Sequence, residues 1–257
     1  MKILITIINR LIKLFGAFIK GFSYIFHFLF PKKRFTIPKR SKPLIRSKNI
    51  TKIPKIIWQT NYTNKVTLPV YINYLFNRIV SPDFEYRYMG HEDREIFMQK
   101  HAKKEIYEAF SKLTDGAAQA DLWRLFVLNY YGGVYMDIDA YAILPISLMI
   151  KDNDKELFLL NKEHFTNYFI ASAPNNQILI QTINIIIDNI KQRNIDKGVY
   201  FLTGPMALNS AISDKNVNHR YYRYTCNQGG FTNEYFQYMD KPRGKWTYAK
   251  NNTLLKN

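Results

Sequence analysis

Among the 12 aspartates of this 257-residue chain, Asp137 and Asp139 are set apart by their surroundings. They close the run Tyr131-Gly132-Gly133-Val134-Tyr135-Met136-Asp137-Ile138-Asp139. Residues two apart in a strand point to the same face, so both carboxylates can be aimed at one point. Two hard anionic oxygens so placed suit Mg²⁺ or Mn²⁺, with water and a diphosphate filling the remaining positions. The spacing alone carries little, because it recurs in Asp152-Asn153-Asp154, within a polar KDNDKE stretch that reads as a solvated turn. Asp137 and Asp139 instead follow an apolar strand, where two uncompensated carboxylates repel each other and resist desolvation. A cation is the simplest reason for placing them there. Upstream, Asp121 and Arg124 lie three apart and share one face of a helix. An exposed pair of this kind is worth only a few tenths of a kcal/mol. Here the flanking run from Ala117 to Phe126 is otherwise apolar and leads directly to the Gly-Gly break.

The elements that must position these groups follow from the pattern around them. Ile53-Pro54-Lys55-Ile56-Ile57-Trp58-Gln59-Thr60 has the β-branched and aromatic content of a short buried strand. A helix is predicted over 68–79 after Pro69, an alternating strand over 84–89, and charged amphipathic helices over 92–112. Asp115 is a plausible N-cap for a helix running to Tyr130 and ended by Gly132-Gly133. A strand follows over 134–139, then strands over 157–160 and 168–172, a long helix over 176–191, and a last helix after Gly204-Pro205. Alternating strands and helices imply an α/β layered sheet. The tail after Asn216 is aromatic and basic and yields no assignment.

Taken in order, Ala120-Asp121-x-x-Arg124 and Gly132-Gly133-Val134-Tyr135-x-Asp137-x-Asp139 resemble the sugar-binding region of glycosyltransferases that carry a D-x-D signature. The nearest set is family 32, with its Och1-type mannosyltransferases and its capsule and lipopolysaccharide sugar transferases; the large clostridial glucosylating toxins share the pattern. Ile53–Gln59 is similar to that family's opening strand and Tyr200–Pro205 to its T-G-P segment, so the resemblance covers about residues 53–210. It implies a GT-A fold, a mixed and mainly parallel sheet flanked by helices. It also implies a UDP- or GDP-sugar donor, a divalent cation (Mn²⁺ or Mg²⁺) and retention of anomeric configuration. On it, Asp137 touches ribose or sugar and assists the metal, Asp139 ligates the metal, Asp121 grips sugar hydroxyls and Arg124 lies beside sugar and diphosphate. Trp58 would stack on the base, with Gln59 and Tyr135 lining the same cleft; plain core remains the other reading of Trp58. The family often closes its site with a C-terminal His and a Ser-Trp pair. The counterpart here is Arg243-Gly244-Lys245-Trp246, in which Trp246 would contact the donor and Lys245 neutralise diphosphate charge.

Charge divides the chain. Residues 1–82 carry 16 Lys and Arg and no Asp or Glu, whereas the remaining 175 residues carry 21 basic and 20 acidic groups. The body is near neutral, which disfavours a general nucleic-acid binder; no nucleic-acid partner is expected. One cysteine, Cys226, excludes a disulfide scaffold or a thiolate metal cluster. Residues 1–30 place Lys2, Thr6, Asn9, Arg10, Lys13, Lys20, Ser23 and His27 along one side of a helix with Ile, Leu and Phe around the rest. That pattern predicts a helix lying in an anionic membrane interface, cations towards the headgroups. A cleaved signal peptide, a spanning anchor, and a helix packed on its own protein or a partner are the alternatives. The expected division is a membrane helix over 1–30, a basic tether over 31–52 and the transferase domain over 53–257. Docking through residues 1–55 at the cytoplasmic face of a membrane, a bacterial inner membrane in the first instance, would favour a glycan or lipid-linked acceptor.

Overall fold

A computed structural model describes residues 2–47, 49–213, 215–242 and 244–256. Its centre is a seven-stranded mixed sheet. In chain order the strands of the molecule are β1 (Phe35–Thr36), β2 (Arg40–Ser41), β3 (Ile56–Thr60), β4 (Lys65–Val66), β5 (Glu85–Met89), β6 (Gly133–Met136), β7 (Ala140–Ala142), β8 (Glu156–Asn161), β9 (His164–Ser172), β10 (His219–Tyr221) and β11 (Cys226–Gln228). The main sheet runs β10-β8-β9-β6-β3-β5-β2, and β11 pairs with β7 in a small second sheet. β3 is parallel to both β5 and β6, while β9 is antiparallel to β6 and β8. The carboxyl ends of β3, β5 and β6 therefore open at one edge, the position at which open α/β sheets hold ligands.

Among the described residues ten α-helices complete the fold: α1 (Lys2–Leu29), α2 (Leu68–Val80), α3 (His91–His101), α4 (Lys104–Lys112), α5 (Gly116–Tyr131), α6 (Ile146–Met149), α7 (Gln177–Lys191), α8 (Gly198–Leu202), α9 (Pro205–Ile212) and α10 (Glu234–Gln237). Side chains alternate across the pleat. Trp58, Tyr135, Phe158 and Ile170 join the core under α3, α4, α5, α7 and α9. Ile57, Val134, Met136 and Phe169 join the core under α2 and α6. Asp115 caps α5, its carboxylate accepting the N–H groups of Ala117 and Ala118 at 2.9 and 3.0 Å. α5 ends where Gly132 turns to φ 70° and Gly133 to φ 114°, conformations that favour glycine. A Cβ on Gly133 would lie 2.7 Å from the Ile56 carbonyl oxygen.

Two expectations for the front end are revised. Residues 31–52 are not a free tether: β1 pairs with β4, β2 pairs with β5, and Ile37 is fully buried. α1 is a helix, but the side that carries Asn9, Ser23 and His27 faces the body rather than headgroups. Asn9 accepts from the Tyr141 hydroxyl at 3.0 Å and donates to the Arg223 carbonyl. Lys20 donates to the Gly229 carbonyl at 3.0 Å, and His27 Nε2 accepts the Leu68 N–H at 3.0 Å. Gly16 lets the helix backbone meet that of Gly230 with no room for a side chain.

Candidate functional site

The strand predicted over 134–139 stops at Met136, and Asp137–Asp139 form a turn closed by the Ala140 N–H on the Asp137 carbonyl at 2.9 Å. The two carboxylates thus converge through a turn rather than through strand alternation. Their shared donor is the Gln228 side-chain amide, 3.0 Å from Asp137 Oδ2 and 3.2 Å from Asp139 Oδ1. Pairing of Gln228 with Ala140 in the β11–β7 register brings that amide over the turn. That neutral amide does little to offset the charge of Asp139, which has no ion pair among the described residues. Burial and the neighbouring Asp137 charge push the Asp139 carboxyl well above its ordinary value.

α5 supplies the second half of the site. Asp121 and Arg124 are both nearly buried, 6% exposed, and pair at 3.1 Å. Arg124 also reaches Asp137 Oδ1 at 3.2 Å and donates to the Asn167 carbonyl at 2.8 Å, with its guanidinium 4.3 Å from the Tyr135 ring centre. Burial pulls the Arg124 pKa down, but Tyr135, Asp137 and Asp121 together leave it raised, so the cation is firmly held. Asp121 accepts from Asn167 Nδ2 and Thr203 Oγ1, each at 3.0 Å. Burial nevertheless pushes its carboxyl up to about 7, against the pull of Arg124 and Thr203. Asp121, Arg124, Asp137 and Asp139 therefore form one connected cluster at the carboxyl edge of β6.

The aromatic and amide residues expected to line a cleft lie beneath this cluster instead. Trp58 has no exposed surface; it stacks on Tyr131, meets Trp123 edge-on and donates Nε1 to the Gly132 carbonyl at 3.0 Å. A ring enclosed in this way has no free face for a base, and its work is to hold the Gly-Gly turn. Gln59 is fully buried, accepts the Tyr86 hydroxyl and donates to the Asp137 carbonyl at 2.9 Å. Tyr135 is 1% exposed and donates its hydroxyl to Asp137 Oδ1 at 2.6 Å. All three support the turn from inside. At the C-terminus, Trp246 stacks on Tyr200 beside α5, and Lys245 pairs with Glu234 at 2.8 Å, so the Lys245 charge is already compensated. Neither residue hydrogen-bonds the acidic cluster; Arg243 lies outside the described residues.

Asn167 and Gln228 escaped the sequence reading, and Thr203 entered it only as part of the T-G-P segment. Gln228 had no signal, since it lies 91 residues from Asp137 and only strand pairing brings them together. Arg94 was also missed. It is 3% exposed, donates to Thr60 Oγ1 at 3.0 Å, and has no carboxylate in ion-pair range among the described residues. Burial draws its pKa down to about 10. It leaves a cation at the carboxyl end of β3, the same edge that carries the acidic turn.

A divalent cation fits the donor set, which offers two hard carboxylates with one weak donor between them. Among the described residues no group of three or more His, Cys, Asp or Glu could enclose a metal, so Asp137 and Asp139 would leave most positions to ligand and water. A cleft of about 310 Å³ opens elsewhere, with Arg87, Phe97, Lys100 and Tyr131 among its walls and the covered Trp58 behind them. None of the four cluster residues lines it; of its cations, Lys39, Arg40 and Arg87 are paired with Asp93 and Glu85, whereas Lys100 makes no ion pair among the described residues.

No curated protein matches this sequence. Sixteen chains of solved structures are similar to this one, two of them as follows. One is entitled "PaToxG Glycosyltransferase", at 22% identity over 62% of this chain and 68% of that one, with a TM-score of 0.48. The other is the UDP-bound glycosyltransferase domain from the YGT toxin, at 12% identity over 58% of this chain and 54% of that one, with a TM-score of 0.40. Residues 69–156, which hold Asp121, Arg124, Asp137 and Asp139, match the family described as a glycosyltransferase sugar-binding region containing a DXD motif.

Proposed function

We propose that the chain is a metal-dependent, retaining glycosyltransferase of the GT-A type, nearest to family 32. In this reading it moves a sugar from a UDP- or GDP-sugar to a glycan or lipid-linked acceptor. The observation that carries the reading is the joining of Asp137 and Asp139 to Arg124 and Asp121 in one cluster, inside the stretch that matches the sugar-binding family. Bound Mn²⁺ or Mg²⁺, held by Asp139 and the Asp137 oxygen that now accepts from Gln228, would offset the charge that grows on the departing diphosphate.

The chain's own residues then have distinct tasks. Arg124 and Tyr135 fix Asp137 through one carboxylate oxygen, and the other accepts only the neutral Gln228 amide, which a ligand would displace. In this reading Asp121, held by Asn167 and Thr203, would exchange one of those donors for a sugar hydroxyl. Transfer breaks the bond between the anomeric carbon and the diphosphate oxygen and forms one to the acceptor oxygen on the same face. The acceptor proton passes to the leaving diphosphate, so no carboxylate pair of the glycosidase kind is required.

The test is a panel of nucleotide sugars incubated with Mn²⁺ and then with a chelator. One donor should be hydrolysed or transferred only with metal present. Asp139→Ala should lower that rate by about a hundredfold or more while the fold survives. Turnover of the variant at the wild-type rate, with circular dichroism unchanged, would end the proposal.

A further inference from the structure

We propose that the outer face of α1 is a docking surface for an anionic phospholipid bilayer, on which the folded body sits as a rigid unit. α1 has 28 residues and is about 42 Å long. Its inner stripe, through Ile5, Asn9, Gly16, Ile19, Ser23 and His27, is buried on the body. Along the opposite side run Ile7, Leu11, Phe15, Phe18, Phe22 and Ile25, spaced by threes and fours and each 49–68% exposed. A helix facing water would turn these two stripes the other way round. A continuous apolar face of this length is an interaction site rather than ordinary surface.

Charge selects the occupant. Lys2, Arg10 and Lys13 on α1, and Lys32 and Lys33 after it, are exposed, and no acidic residue occurs before Asp83. A second copy seated on this face would bring cations against cations. An anionic headgroup layer attracts every one of them. Among the described residues no helix is long and apolar enough to cross a membrane, so α1 lies in the plane of the interface. The docking also reaches inward. Lys20 of α1 holds the carbonyl of Gly229, and the neighbouring Gln228 bridges Asp137 and Asp139, so the acidic turn is fixed in position relative to the docked face. The inference rests on α1 and the basic residues that follow it, and stands apart from the transferase reading.

The test uses the full chain and sedimentation with vesicles of phosphatidylcholine, alone or mixed with phosphatidylglycerol. The wild type should sediment with the mixed vesicles and much less with the neutral ones. A Phe18→Ser/Phe22→Ser double variant should lose at least about tenfold in partition with an unchanged melting curve, since both rings are exposed. Leu11→Ser/Ile25→Ser provides the same reading should the first pair prove unstable. Replacing Lys2, Arg10 and Lys13 by Gln should remove the preference for the anionic mixture. Wild-type protein left in the supernatant of both vesicle types, or Ser variants that sediment like the wild type, would overturn the proposal. So would a lipid-free dimer, seen by light scattering, that the Ser variants abolish, since the face would then belong to a second copy.

Discussion

Each acidic residue of the cluster has its own electrostatic character, because the environments differ. Asp137 is tied to Tyr135, Arg124 and Gln228, whereas Asp139 has the Gln228 amide against a neighbouring negative charge. Asp121 is the most deeply buried, and its carboxyl stands at about 7 although Arg124 is in contact. The folded state therefore holds that proton more tightly than the unfolded chain, whose aspartates titrate at about 3.9. Its contribution to stability is fully present below about pH 4 and is lost as the pH rises through about 7. Asp121→Asn removes this dependence. The stability of wild type relative to the variant should then fall across that window, by up to about 1.4 kcal/mol per pH unit. Urea unfolding of both proteins over the window measures it, and taking the difference cancels the opposite trend from His27, whose pKa burial lowers. A flat difference would mean that Asp121 ionises as it does in water.

At the scale of elements, the Gly132-Gly133 turn is what places the acidic turn. It ends α5, starts β6 and accepts the hydrogen bond from Trp58. Gly133 has φ 114°, and an added Cβ would press on the Ile56 carbonyl and the Trp58 indole nitrogen. Gly133→Ala should cost about 2 to 3 kcal/mol in chemical denaturation, the strain of a forced positive φ plus displacement of β3. The same substitution at Gly21 of α1, where an added Cβ meets nothing within 4 Å, should leave stability unchanged or slightly raised. Equal effects at both sites would show that the turn is not under this steric control.

For the whole molecule, the question is whether α1 is an appendage or part of the fold. Its inner face packs on Tyr141, Ile143 and Phe231, and Gly16 meets the Gly230 backbone without a gap. Gly16→Val should therefore lift the helix from the body. Expected results are faster amide exchange over residues 2–29 and a lower melting temperature, with the main sheet still protected. Exchange unchanged from wild type would mean that the helix tolerates the side chain by sliding and that its seating is loose.

The sequence by itself determined what is local. Strand and helix periods, the Asp115 cap and the Gly-Gly break could be read directly, because each depends on neighbours a few positions away. Where strand 134–139 was to end, and what Trp58 and Gln59 do, could not. Those depend on which side chains a parallel partner strand presses against them, and the partner lies about 75 residues away. Gln228, Thr203 and Asn167 joined the site only through the pairing of distant strands and helices. For α1 the sequence specified two faces of opposite polarity. Only the tertiary structure decided which face met the body, because the free energy of seating Asn9, Gly16, Ser23 and His27 depends on the groups waiting there.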